Sequence, residues 1–201
     1  MIINILLAGT GGQGVLSSAA MITFSAMKQG LFVSQSEVHG MAQRGGSVTA
    51  EVRIGDTPVM STLIPKGELD LIVSMEPLEG LRHVVSLGEG GHMVTATGTV
   101  KNFAGYPDDS VIMNALQNLS HCECFDLEQE LHEHSLAHHT GNMFLVGVAS
   151  TFIPSVSVNA CEYGIDEVFG AKGERSVAEN VAAFSEGRRV GECIQAATKV
   201  S

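Results

Sequence analysis

The chain has 201 residues, a formal net charge of −11 at pH 7 and 44% hydrophobic residues. This length is enough for one α/β domain with a full hydrophobic core. The acidic balance argues against nucleic acid as a partner, because phosphate binding needs many Lys or Arg side chains. No apolar run approaches the roughly 18 residues of a membrane span, and the N-terminus lacks the basic residues of a signal peptide. We therefore expect a cytoplasmic protein without membrane association.

The first elements alternate between strand and helix. Ile2–Ala8 is nearly all apolar, which predicts a central parallel strand covered on both faces. Val15–Gln29 has its apolar residues at helical spacing and ends before Gly30. Leu31–Val33 predicts a short second strand, which leads into a polar, glycine-bearing loop.

An antiparallel hairpin is predicted next, because Ser47–Ile54 and Thr57–Ile64 alternate in polarity around Gly55-Asp56. Further strands are predicted at Leu69–Met75, His92–Thr97 and Cys122–Phe125. Further helices are predicted from Pro77 to Gly88 and at Ser110–Leu119, Leu127–His138, Asn142–Phe152 and Val177–Ala197, where Gly187 and Gly191 weaken the middle of the last helix. Pro154–Gly173 is predicted to be irregular or mobile.

This order of elements predicts the fold class. Strands that alternate with helices are typical of an α/β protein with a doubly wound, mostly parallel, Rossmann-like sheet. The predicted additions are an inserted β-hairpin and a long C-terminal helix. We expect residues 1–201 to form a single domain.

The first motif is glycine-rich and directly follows the first strand. It consists of Gly9-Thr10-Gly11-Gly12-Gln13-Gly14 and has the G-x-G-x-x-G spacing of dinucleotide-binding loops. A loop without β-carbons before a helix N-terminus can bind an anion. The acidic residue that NAD-binding folds place about 20 residues on is missing, since the nearest acid, Glu37, lies late in a loop. An anionic ligand and a bare turn both remain open.

The second motif lies in the loop after the predicted second strand. Arg44-Gly45-Gly46 sets a guanidinium beside two flexible backbone N–H groups, which suits a carboxylate or a phosphate. The alternative is a loop arginine that pairs with Glu37 or Glu51. Both motifs follow consecutive strands at their carboxyl ends, where open α/β sheets bind ligands, so they can converge on one crevice. The candidate binding residues are Gly9, Gly11, Gly12, Gln13, Gly14, Glu37, Arg44, Gly45 and Gly46.

Cysteines and histidines give no complete metal motif. The chain has four cysteines, and none has the tight spacing of an iron–sulfur ligand run. His134 and His138 would share a face if they lay on one helix, but His132-Glu133 lacks the later histidine of H-E-x-x-H. We expect a solvated helix face there, with no metal bound by this chain. No nucleophile motif is present either, and we predict no catalytic residue on this chain.

Read together, the motifs resemble the gamma-type domain family of 2-oxoacid:ferredoxin oxidoreductases, and the similarity is strongest to the small beta subunit of the indolepyruvate enzymes. The segment 35–48 is the specific match. The other matching pieces are Gly9–Gly14 with Val15, Leu63-Ile64-Pro65 followed by Asp70, Glu76–Arg82, and Glu179–Phe184 with Gly187. The segments 136–147 and 154–173 match the family poorly.

The resemblance implies a division of labour between subunits. The family oxidises a 2-oxoacid with coenzyme A to an acyl-CoA and CO2, and reduces ferredoxin. Thiamine diphosphate, Mg2+ and iron–sulfur clusters are implied on a large partner subunit, through which ferredoxin is reached. The gamma-type domain is associated with the coenzyme A side. This chain is thus expected to bind no cofactor firmly and to be inactive alone, with a homodimer possible when it is isolated.

A second hypothesis belongs to another class of protein. The chain could be a free-standing nucleotide- or CoA-binding Rossmann-like module without redox activity. Co-purification with a thiamine-binding partner distinguishes the two hypotheses.

Overall fold

A computed structural model describes residues 2–39 and 46–198. In these ranges six strands form one sheet, with the order β2-β3-β1-β4-β5-β6. The strands are β1 (Ile2–Thr10), β2 (Phe32–His39), β3 (Ser47–Gly55), β4 (Leu69–Ser74), β5 (Leu87–Ala96) and β6 (Cys122–Phe125). The α-helices are α1 (Val15–Lys28), α2 (Pro77–Leu81), α3 (Asp109–Gln117), α4 (Leu127–Glu133), α5 (Gly141–Ser150), α6 (Val158–Phe169) and α7 (Glu174–Thr198).

The sheet is mostly parallel and doubly wound, as the alternation of elements predicts. β1, β4, β5 and β6 form consecutive parallel pairs, and β3 alone runs antiparallel to both of its neighbours. A larger core on one face packs residues of α1, α5, α6 and α7 against the sheet, and a smaller core on the other face involves α2 and α3. Both faces of the central strands are therefore buried, which explains their nearly continuous apolar sequences.

The predicted hairpin around Gly55-Asp56 is not formed, and β3 forms an antiparallel hairpin with β2 instead. β3 does occupy Ser47–Gly55, but residues 57–64 form no strand. β3 pairs instead with β2, from Phe32↔Gly55 to His39↔Val48, and along its whole length with β1. Both edges of β3 are therefore already occupied, so Thr57–Ile64 has no edge of β3 to pair with.

Side chains of β3 hold residues 57–64 in place. The Arg53 guanidinium, almost fully buried, donates to the carbonyl oxygens of Ser61 and Leu63, each at 3.0 Å. The Glu51 carboxylate accepts a hydrogen bond from the Ile64 N–H at 3.0 Å. These residues are thus attached to β3 through their backbone, and the alternation of their side chains corresponds to no strand.

The prediction that Pro154–Gly173 is irregular was wrong. Most of this segment is α6, whose N-terminus is capped by the Ser157 hydroxyl. A 3₁₀ turn at Gly170–Lys172 follows. Gly164 lies where α6 crosses α1, since an added Cβ would be 2.3 Å from the Ser25 Oγ. The absence of a side chain at Gly164 permits this close crossing.

Two predicted helices end earlier than expected. The helix from Pro77 stops at Leu81, and a 3₁₀ turn at Val84–Ser86 leads directly into β5. α4 stops at Glu133, after which Ser135 adopts a positive φ of 53°. No helix within the described ranges combines the length and apolar character needed to cross a membrane.

Candidate functional site

The two glycine-rich loops meet at the carboxyl edge of the sheet. β1 ends at Thr10 directly beside Ser47, the first residue of β3. The backbone N–H of Gly11 donates a hydrogen bond of 2.9 Å to the carbonyl oxygen of Gly46. The described ends of the two motifs are therefore in contact, as expected from their positions after consecutive strands.

Backbone conformation requires glycine at two positions of the first loop. Gly12 has a φ of 103° and Gly14 a φ of 82°, a region that residues with a Cβ rarely adopt. Gly14 also lies against α5, because an added Cβ would be 2.6 Å from the Asn142 Nδ2. The Gly14 carbonyl accepts hydrogen bonds from the Ser18 N–H and hydroxyl, which begins α1.

Gln13 fills the gap between β1 and β4. Its Oε1 accepts a hydrogen bond from the Thr10 N–H at 2.7 Å, and its Nε2 donates to the Met75 carbonyl at 3.1 Å. This gap is the switch point of the sheet, where open α/β folds bind ligands. The sequence predicts Gln13 as a ligand contact. The structure shows that its carboxamide connects the end of β1 to Met75, the residue that follows β4.

These contacts limit the capacity of the first loop to bind an anion. The N–H groups of Thr10, Gly11 and Gln13 already donate within the protein. The N–H groups of Gly12 and Gly14 have no acceptor among the described residues, and α1 has no side-chain N-cap. Free donors for an anion are therefore restricted to the α1 side of the loop.

An open crevice of about 540 Å³ lies beside Gln13, at the carboxyl ends of the parallel strands. Three of its lining residues are acidic: Asp109, Asp126 and Glu128. Lys101 pairs with Asp109 at 3.2 Å and, with a hydrogen bond from Thr99, lowers the pKa of that carboxyl. Since the other two carboxylates have no basic partner among the described residues, this crevice disfavours anions.

The candidate residues of the second motif are only partly described. Glu37 lies on β2 and accepts a hydrogen bond from the Gln35 Nε2 at 2.7 Å; Gln35 in turn accepts one from Thr23 of α1. Arg44 and Gly45 lie outside the described residues. Gly46 is placed by its bond to Gly11.

Two buried glutamates near this edge were missed by sequence reasoning. Glu76 is fully buried and accepts hydrogen bonds from the Glu79 N–H, the Val100 N–H and the Tyr106 hydroxyl. Burial, together with this bond to Glu76, raises the pKa of Tyr106. The carboxylate thus ties α2 to the loops after β5.

Glu79 connects α2 to the second glycine motif. It is 2% exposed, and its carboxylate accepts a 2.6 Å hydrogen bond from the hydroxyl of Ser47. Arg82 lies 3.8 Å from its other oxygen. The sequence signal was Glu-Pro-x-Glu directly after a buried strand, in which the first acid caps a helix opened by proline.

Two histidines that follow α4 face carboxylates. His134 lies 3.1 Å from Glu186 and 3.7 Å from Glu130, and His139 lies 3.3 Å from Glu179. His134 and His138 do not share a helix face, because α4 has already ended. Within the described ranges no three metal-binding side chains converge.

The family follows from the comparison with known proteins. Residues 4–190 match the model of the pyruvate ferredoxin/flavodoxin oxidoreductase family. The chain therefore belongs to this family, whose members include subunits of 2-oxoacid:ferredoxin oxidoreductases.

Two curated relatives are indolepyruvate oxidoreductase subunits. The chain is 40% identical over 120 residues to subunit IorB of Methanothermobacter thermautotrophicus, a match that covers 57% of this chain and 60% of the relative. It is 47% identical over 92 residues to IorB of Pyrococcus horikoshii, covering 46% and 45%. The chain thus spans about half to three fifths of the length of these relatives.

Two solved structures share the fold. A 2-oxoglutarate:ferredoxin oxidoreductase from Magnetococcus marinus, with 2-oxoglutarate, coenzyme A and succinyl-CoA bound, has a TM-score of 0.73 at 20% identity, covering 96% of this chain and 31% of that chain. The PORC subunit of pyruvate oxidoreductase from Thermotoga maritima has a TM-score of 0.66 at 21% identity, covering 92% and 94%. The fold therefore occurs both within a longer chain and as almost all of a separate subunit.

Proposed function

We propose that this chain is a non-autonomous subunit of a thiamine- and CoA-dependent 2-oxoacid:ferredoxin oxidoreductase that acts on indolepyruvate or related aryl pyruvates. The observation that carries the proposal is the family match over residues 4–190, joined to the identity of 40% and 47% with two indolepyruvate oxidoreductase subunits. The products are an acyl-CoA, CO2 and reduced ferredoxin. Residues 1–201 act as one gamma-type domain in the cytoplasm.

The side chains of this subunit serve mainly as scaffold. Gln13, Glu76 and Glu79 each connect two elements at the carboxyl edge through hydrogen bonds. Such saturated groups are fixed in place, and they are suited to presenting a rigid surface to a partner. Thiamine diphosphate, Mg2+ and the iron–sulfur clusters are assigned to a large partner subunit, through which electrons reach ferredoxin.

The anionic groups of coenzyme A fit one part of this edge better than the rest. The acidic crevice beside Asp126 and Glu128 would repel them. The free N–H groups of Gly12 and Gly14 and the N-terminus of α1 provide a local positive field on the other side of Gln13. We assign coenzyme A contact to this side, with Arg44 bridging to the coenzyme or to a carboxylate of the partner.

Reconstitution with the large subunit tests the proposal. We expect the complex to reduce a viologen dye with indolepyruvate and coenzyme A, and each subunit alone to be inactive. Arg44→Ala should raise the apparent KM for coenzyme A or weaken assembly while the subunit stays folded. Arg175→Ala is the matched control, because Arg175 is 91% exposed on α7 and pairs within its own helix. An isolated chain with full activity would refute the proposal.

The runner-up is the free-standing module that binds a nucleotide or coenzyme A without redox activity. The Gly12–Gly14 donors favour it as much as they favour a subunit. Isothermal titration of the isolated chain with coenzyme A decides between the two. Tight binding without any co-purifying partner supports the module, whereas binding that appears only in the complex supports the subunit.

A further inference from the structure

Strand β6 carries two cysteines on one side. Among the described strands it is the last of the sheet and pairs only with β5, through Met93↔Cys122 and Thr95↔Cys124. Residues two apart in a strand point to the same face, and the sulfur atoms of Cys122 and Cys124 lie 3.7 Å apart. Cys122 packs against the smaller core, and Cys124 is exposed. The pair is therefore accessible from solvent at one end.

We propose that Cys122 and Cys124 form a two-thiolate binding site for a thiophilic divalent metal ion of the zinc and cadmium class. Two sulfur ligands at about 2.3 Å from one tetrahedral zinc ion lie about 3.8 Å apart. The observed separation of 3.7 Å matches this value without any change in the strand. Thiolates are also the ligands that soft ions prefer.

A disulfide is the competing outcome for this pair. Cα atoms two residues apart in a strand are separated by about 6.5 Å or more, at the upper end of the usual disulfide range of about 4.4–6.8 Å. Oxidation would have to bring the two sulfurs from 3.7 Å to about 2.05 Å, whereas one metal ion bridges them at their present separation. The test therefore keeps both thiols reduced.

The two cysteines fill two of the four positions on the ion. Glu123 and His121 lie on the opposite side of β6, where they line a separate cavity of about 320 Å³ with His92. In the described part of the chain no third His, Cys, Asp or Glu joins the pair. Each thiol releases one proton on binding, and water completes the coordination. The site is open and exchangeable, unlike the closed sites that stabilise folds.

Cadmium titration of the full chain, reduced with a phosphine, tests this site. We expect one Cd2+ per chain and the ultraviolet charge-transfer band of cadmium thiolates. Cys122→Ser or Cys124→Ser should each remove the band and raise the Kd by more than about tenfold, since even the loss of a supporting group near a metal costs that much. Cys193→Ser, at an exposed cysteine of α7, is the control and should bind normally.

Three results would overturn the site: no band in the unmodified chain, a band that survives either single substitution, or a band lost in Cys193→Ser. Cys122 is partly buried, so Cys122→Ala provides a second variant if the serine disturbs packing. Circular dichroism verifies that each variant is folded. The outcome is independent of the proposed oxidoreductase function, because no partner, substrate or activity enters the measurement.

Discussion

Gly147 of α5 and Gly187 of α7 allow the backbones of the two helices to touch. A Cβ on Gly147 would lie 2.2 Å from the carbonyl oxygen of Phe184, and a Cβ on Gly187 would lie 2.0 Å from that of Phe144. Both phenylalanines are fully buried. From sequence, Gly187 was interpreted as weakening the middle of the last helix. α7 runs unbroken through it, and the residue permits α5 and α7 to pack with their backbones in close contact.

We therefore expect Gly187→Ala to destabilise the fold although alanine is the better helix former. Overpacking of a core costs about 1–3 kcal/mol or more, against about 1 kcal/mol gained in helix propensity. Because the clash is with backbone atoms, we expect the upper end of this range, and the free energy of unfolding in urea should fall by about 2 kcal/mol. Ser185→Ala, at an exposed position of the same helix, is the control and should change little.

Substitutions at Gly14 and Gly12 separate backbone strain from steric conflict. Both residues have positive φ, which costs an alanine about 1–2 kcal/mol. Among the described residues, only Gly14 has a neighbour in the way, the Asn142 amide. Gly14→Ala should lower the melting temperature more than Gly12→Ala. Adding Asn142→Ala to the Gly14→Ala variant should remove the clash and bring its melting temperature close to that of Gly12→Ala. Equal effects of the two glycine substitutions would show that the contact with Asn142 is unimportant.

Gln13→Ala should loosen the connection between β1 and β4. It leaves the Thr10 N–H and the Met75 carbonyl without their partner, and each unsatisfied buried group costs about 1–3 kcal/mol. Chemical denaturation should show this loss, and hydrogen exchange at Thr10 should accelerate. Gln129→Ala removes an exposed glutamine that pairs only within α4. A loss as small as that of Gln129→Ala would contradict the bridging role.

The hydroxyl of Tyr106 can be removed with its ring retained. Tyr106→Phe deprives the buried Glu76 carboxylate of one of three donors. Hydrogen bonds to charged groups contribute about 1.5–3 kcal/mol, and we expect a loss of that size in the free energy of unfolding. Tyr163→Phe on α6 should be nearly neutral. If the two variants behave alike, Glu76 does not depend on Tyr106.

Stability should fall in mild acid in part because of His92. Burial and the neighbouring His121 lower the pKa of His92 below its ordinary value of 6.5. The unfolded chain then takes up this proton at a higher pH than the folded one, so the free energy of unfolding decreases as the pH drops below 6.5. His92→Phe should flatten this slope. Burial also lowers the pKa of His83, which therefore continues to make stability depend on pH in the variant. The slope should shrink without vanishing.

The sheet could be predicted from sequence because apolar runs such as Ile5–Ala8 and Leu71–Val73 are buried on both faces. The hairpin was predicted with the wrong partner. The sequence does not show that β1 and β2 occupy both edges of β3, which leaves no edge for residues 57–64. α6 was missed because the helix crossing that needs Gly164 is visible only in space.

The candidate site divides in the same way. Positive φ at Gly12 and Gly14 follows from a glycine-rich turn between strand and helix. The role of Gln13 depends on Met75, which is 62 residues away in the chain. Contacts between residues so far apart in the chain leave no local sequence pattern. The sequence therefore predicts Gln13 as a candidate ligand residue and gives no sign of its hydrogen bond to Met75.

The pairing of β2 with β3 fixes where the ends of the segment that marks the family lie. His39 is opposite Val48, and β3 begins beside Thr10 at the end of β1. Eight paired positions on β2 therefore hold both ends of residues 40–45 next to the first glycine motif. A shift in the register between β2 and β3 would move these ends relative to Gly11, so the proposed contact with coenzyme A depends on the pairing of an edge strand.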